Sequence, residues 1–171
     1  MQTSSAPKIV GPQDGKAGTL GSIGVRFMLD GPEAGDRFSL VEHPMPPRAL
    51  AAPLHKHSRE DEYSFVLEGR MGALLGDHEV YAAAGDFVYK PRDQWHTFWN
   101  AGDELCRILE IISPAGFEKF FDELVDLTSA GSLDPSGLPE LGARYGLEAD
   151  PESVPGLCER FGVTFGPPET G

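Results

Sequence analysis

The stretch HKHSREDEYSFVLEG, residues 55–69, places two histidines one residue apart, then a run of acids, then a segment in which polar and apolar residues alternate. In an extended strand His55 and His57 point to one face, about 6–7 Å apart along the backbone. Glu62 follows and opens the next strand. A third histidine, His96, lies in a further short strand within GDFVYKPRDQWHTFWN, residues 85–100. Three imidazoles and one carboxylate suit a divalent first-row metal and leave one or two coordination positions for a substrate or for oxygen.

Outward from this stretch, Leu20 to about Ile112 is a succession of short apolar runs with turn signals every ~8–12 residues. Strands are expected at Gly24–Leu29, Phe38–His43, Glu62–Leu67, Met71–Leu75, Val80–Ala83, Phe87–Tyr89, His96–Trp99 and Leu105–Ile112. Gly (21) and Pro (15) make up about a fifth of the 171 residues, against a usual ~12%. That excess favours short strands and turns over a helical bundle, so the pattern is that of a sandwich or barrel. Strand parity extends the site: if Glu62 and His96 face inward, so do Ser64, Val66, Phe98 and Asn100. Tyr63, Phe65, Leu67, Trp95, Thr97 and Trp99 then form an aromatic outer face that calls for a cover. His43 is a further candidate for the pocket, although parity does not fix its direction.

The flanking segments differ in character. Residues 1–17 read as a loose arm, 18–113 as the β-domain, and 114–171 as a helical extension packed on the barrel or on a partner subunit. Phe117, Phe120, Phe121, Leu124 and Leu127 follow helical spacing after Ser113-Pro114. Further on, LPELGARYGLE (138–148) aligns with VPGLCERFGVT (154–164), each copy a short helix with Pro in its first turn and Gly past its end. The net charge of −13 argues against a nucleic-acid partner, which needs Lys and Arg on phosphates, and against an anionic membrane surface. The N-terminal segment lacks the apolar region of an export signal, so a cytoplasmic protein is expected, with Cys106 and Cys158 as thiols.

With these residues in view, the chain resembles the cupin superfamily. His55, His57, Glu62 and Gly69 match its first motif in type and spacing, and Gly85, Pro91, His96 and Asn100 match its second. Only Glu62, not Glu60 or Asp61, keeps the motif's spacing to Gly69. Ala49 and Asp93 stand where the motifs carry Gly, which bears on turn conformation alone. The resemblance implies an all-β double-stranded β-helix, or jelly roll, with a C-terminal helical extension. One divalent ion per chain (Fe, Ni, Mn, Co, Cu or Zn) would be held by His55, His57, Glu62 and His96, and a homodimer is the default assembly.

The chain looks most like small bacterial quercetin 2,3-dioxygenase-like cupins. That likeness implies a dioxygenase acting on a flavonol-like or enolisable small aromatic or acid substrate, with molecular oxygen as co-substrate and Glu62 as the catalytic base. A divalent cation with one carboxylate leaves a positive site, which favours an anionic or chelating small molecule. The alternatives are an oxygen-independent isomerase or lyase on a small acid or sugar derivative, and a non-enzymatic binding cupin.

Overall fold

In the computed structural model, which describes residues 8–167, the alternating runs form two antiparallel sheets. Strands are β1 (Ala17–Leu20), β2 (Ile23–Leu29), β3 (Ser39–Met45), β4 (Leu54–His57), β5 (Asp61–Glu68), β6 (Arg70–Leu75), β7 (His78–Ala83), β8 (Phe87–Lys90), β9 (His96–Asn100), β10 (Cys106–Ser113) and β11 (Leu147–Asp150). One sheet has six strands in the order β1-β2-β3-β10-β5-β8, the other five in the order β11-β4-β9-β6-β7. Each buries one face against the other, as half-solvated antiparallel sheets do. The shared core includes Val41, Val66, Met71, Ala73, Phe98, Ile108 and Ile112. This is the all-β jelly roll with C-terminal helices that the sequence implies. Part of the expected N-terminal arm, residues 1–7, lies outside the described residues. Of the rest, Arg26 Nη1 donates to the carbonyls of Gly11 and Asp14, and β1 begins at Ala17.

Three helices follow the barrel: α1 (Glu118–Ser129), α2 (Leu138–Arg144) and α3 (Val154–Phe161). On α1, Phe120 and Val125 are buried in the core, and Phe117 just before it is 2% exposed. The repeat extends further upstream than the aligned segments. Asp134-Pro135 and Asp150-Pro151 open the two copies, and each Asp carboxylate accepts from the backbone N–H two residues on. Gly146 (φ 74°) and Gly162 (φ 62°) end them in the left-handed region that Gly enters without a steric cost.

Each copy then lays extended chain on the barrel. After α2 comes β11, absent from the sequence expectation, which pairs with β4 so that Ala149 lies opposite His55. After α3, Thr164 hydrogen-bonds with Arg48 and Leu50. Both copies thus brace the segment that leads into the histidine pair.

The aromatic outer face is divided. Trp99 is stacked under Phe161 of α3 at 3.9 Å between ring centroids, and Gly72 opposite it leaves no side chain where the indole lies. On the other sheet Phe65, Phe87 and Tyr89 stay 38%, 55% and 48% exposed.

Candidate metal centre

His55 and His57 project inward from β4, and antiparallel pairing sets His55 directly across from His96 on β9. Glu62 enters from β5 on the opposing sheet. One donor atom from each of these four residues lies within 4.8 Å of the others, and the side chains are buried, with His57 and His96 each 1% exposed. Donors at ~2.0–2.2 Å from a common ion lie up to ~4.4 Å apart, so a contraction of roughly half an ångström would close this set on a cation.

The orientation of the rings supports the same fit. His55 Nδ1 lies 2.8 Å from the Pro53 carbonyl and His96 Nδ1 3.0 Å from that of Gln94. A carbonyl can only accept, so each Nδ1 carries the proton and each Nε2 keeps its lone pair, the arrangement that orients metal-binding histidines. His96 Nε2 and both ring nitrogens of His57 are buried without a hydrogen-bond partner, a cost a protein rarely bears without a ligand to offset it. Burial holds His55 and His57 neutral: His57 is pushed down to about 4, and His55 lies well below the usual range, lowered further by His96 and His57 beside it. Neutral imidazole is the form that binds a metal. The four residues fit a divalent ion.

Glu62 is the ionised member of the set. Burial alone would raise its carboxyl, but the Lys90 ammonium, 3.2 Å from Oε2, holds it well below the usual carboxylate range. Its acidic neighbours are engaged elsewhere. Asp61 binds the Arg92 guanidinium, and Glu60, which the sequence leaves to a loop, is buried beside Gly116 with its pKa pushed up by burial to about 7. Asp93, in place of the motif glycine, takes the left-handed conformation itself (φ 62°) and donates its N–H to the His57 carbonyl.

The residues expected around the site fall into three groups. Ser64, Val66 and Phe98 are buried on the inner face, Ser64 donating to Glu110 Oε2 at 2.8 Å. His43 is also buried, outside the donor set, with Nδ1 on the Gly24 carbonyl and its ring against Phe98 and Phe121. Asn100 is buried at the end of β9 and binds the backbone. Its Nδ2 donates to the carbonyls of Met45, Pro46 and Glu104, and its Oδ1 accepts from Gly102 N–H.

Three residues were not anticipated as part of the site. Lys90 and Glu110 are each 1% exposed inside the barrel, and Phe117 sets its ring 4.3 Å from that of His57 as a roof. The available signal was parity. Lys90 shares the inward side of β8 with Val88, and Glu110 alternates with Ile108 and Ile112 on β10.

Comparison with known proteins agrees with this geometry. A family profile described as "Cupin domain" matches residues 42–112, while no curated protein matches by sequence. Among solved structures, the polyketide cyclase RemF from Streptomyces resistomycificus is 31% identical, with a TM-score of 0.55 over 63% of this chain and 80% of that one. A predicted oxalate decarboxylase from Thermotoga maritima (18% identity, TM-score 0.59, 63% of this chain and 99% of that one) shares the fold. So does a cupin-superfamily sugar phosphate isomerase from Silicibacter pomeroyi (21%, TM-score 0.53, 63% and 75%).

Proposed function

The chain belongs to the cupin superfamily, and from that premise we propose that it is a metal-dependent enzyme that removes a proton next to a carbonyl of an enolisable, polyketide-like small molecule, without consuming oxygen. The observation that carries this reading is the convergence of three buried imidazoles on an ionised buried carboxylate. The 31% identity to a polyketide cyclase favours an oxygen-independent reaction over the dioxygenase suggested by the sequence.

His55, His57, His96 and Glu62 would hold the ion. A bound divalent ion would supply Lewis acidity, drawing electron density from a carbonyl oxygen of the substrate. Glu62 is the base. Its carboxylate accepts the proton from the carbon next to that carbonyl, and the bonding pair moves into the substrate's C–C–O system. When that carbon attacks a second carbonyl of the same molecule, Glu62 returns its proton to the new alkoxide, so the cyclisation needs no oxidant. Phe117 sets an apolar ring against His57 and packs edge-on with Phe121, and such apolar lining strengthens the charge interactions beside it.

The reading is tested by incubating the metal-loaded protein anaerobically with a synthetic poly-β-ketone and following loss of the enolisable C–H by deuterium exchange. Exchange in wild type but not in Glu62→Gln supports it. The three-histidine, one-glutamate set also suits the quercetinase-like dioxygenase reading, and oxygen uptake with a flavonol would replace the proposal with that one. The exposed face formed by Phe65, Phe87 and Tyr89 suits the homodimer expected from the sequence, and sedimentation equilibrium reads that state.

A further inference from the structure

Lys90 and Glu110 are charged side chains inside the barrel for which the reaction above has no use. A buried ammonium costs several kcal/mol unless it is surrounded by compensating groups, and here each of them is identifiable. Lys90 Nζ lies 2.9 Å from Glu110 Oε2, 3.2 Å from Glu62 Oε2 and 4.4 Å from the centroid of the Phe98 ring. Glu110 Oε2 also accepts from Ser64 Oγ at 2.8 Å. Sheet register builds the group, with Lys90 directly opposite Glu62 and Glu110 directly opposite Ser64.

The consequence lies in which oxygen of Glu62 is occupied. Oε2 carries the ammonium and lies 3.4 Å from His96 Nε2, whereas Oε1, 3.5 Å from His57 Nε2, pairs with no lysine or arginine among the described residues. A carboxylate binds a divalent ion through one oxygen or through both. We propose that Lys90 is a positioning residue that keeps Glu62 a one-oxygen ligand, and that Glu110 sets the strength of this hold. This rests on the metal reading above and deepens it. Three nitrogens and one oxygen leave room at a six-coordinate ion for a substrate that chelates through two oxygens, as a β-dicarbonyl enolate does. A two-oxygen Glu62 would take one of those places. Lys90 thereby selects for chelating substrates.

Charge gives the hypothesis a sign that mere space-filling does not. Glu110 shares the neutralisation of Lys90 with Glu62, so removing its charge leaves Glu62 to balance both the ammonium and the incoming cation. Removing both charges with groups of similar shape frees Oε2 for the ion.

The test is titration of the metal-stripped full chain with Co²⁺ at pH 8, followed by its visible absorption, and then titration of the Co²⁺-loaded protein with acetylacetone, a two-oxygen chelator, or azide, a one-atom ligand. Glu110→Gln should weaken Co²⁺ binding by about tenfold or more. Lys90→Met combined with Glu110→Gln should restore or exceed the wild-type affinity. The same double variant should bind acetylacetone about tenfold more weakly than wild type, with azide affinity unchanged.

Equal acetylacetone affinity in wild type and double variant would overturn the proposal. So would a Glu110→Gln protein that binds Co²⁺ like wild type, a result that does not depend on the double variant folding. Failure of wild type itself to take up Co²⁺ is a different result, because it removes the metal reading and this inference with it.

Discussion

The five-stranded sheet offers the barrel interior three imidazoles from β4 and β9, while the six-stranded sheet opposite offers Glu62, Ser64, Lys90 and Glu110 from β5, β8 and β10. The histidine wall is anchored from behind by the carbonyls of Pro53 and Gln94, and its inward nitrogens lack partners at His57 and His96. The charged wall is more nearly satisfied: its ammonium is shared between two carboxylates and a hydroxyl supports one of them, and Glu110 Oε1 is its one atom buried without a partner among the described residues. One wall is therefore incomplete without a ligand, and the other carries the charge that adjusts Glu62, the residue through which the two meet. Changes on the first wall should act on metal binding most strongly, and changes on the second on stability, on how the metal is used and, more weakly, on its affinity.

The largest effect should follow from breaking the histidine wall. Loss of a group that only orients a ligand costs ~10–100-fold in metal affinity. His55→Ala, His57→Ala and His96→Ala, which each remove a direct donor, should therefore weaken metal binding by about 100-fold or more, measured by competition with a chromophoric chelator. Wild-type affinity in all three would dissolve the contrast between the walls.

Next comes the shared residue. Glu62→Gln keeps a neutral oxygen donor but cannot take up a proton. It should retain much of its metal while deuterium exchange into substrate falls by about 10²–10⁴-fold, the scale of a lost general base. Exchange at the wild-type rate in a metal-loaded Glu62→Gln protein would move the base elsewhere.

On the charged wall the effect should appear as stability. Lys90→Met leaves two buried carboxylates without their cation, which should cost about 3–5 kcal/mol by urea denaturation. Adding Glu110→Gln should recover most of that loss. A single variant as stable as wild type would mean that the pair is not the anchor of this wall.

The smallest effect concerns His43, which burial pushes down to about 4. Below pH ~6.5 the unfolded chain binds a proton that the folded His43 refuses until about pH 4. Its folded pKa is depressed, so stability falls as pH falls through that window, by up to about 1.4 kcal/mol per pH unit. His43→Leu should remove this part of the slope. Identical slopes in metal-free wild type and variant would show that His43 takes its proton without unfolding.

The two walls were unequally legible in the sequence. His55, His57 and Glu62 lie within eight residues, so spacing alone reveals them, and the motif around His96 has fixed distances of its own. Lys90 ends a four-residue strand and Glu110 sits within an eight-residue one, and their pairing arises from register between β8, β5 and β10, which sequence spacing does not encode. Asn100 shows what parity leaves open, since it indicates where a side chain starts but not what it binds at a strand end. β11 went unseen because Leu147–Asp150, with no β-branched or aromatic residue, is extended only by pairing with β4. Helical spacing did identify α1, and the sixteen-residue offset identified the repeat, although not that both copies return to brace the metal motif.

If the two walls together hold one divalent ion through His55, His57, His96 and Glu62, calorimetric titration of the metal-stripped wild-type chain with Zn²⁺ should show about one ion bound per chain. The His55→Ala/His57→Ala double variant, titrated alongside, should show no comparable binding event. A wild-type chain that takes up no ion, or a variant that binds it equally well, would mean that these four residues are not a metal centre.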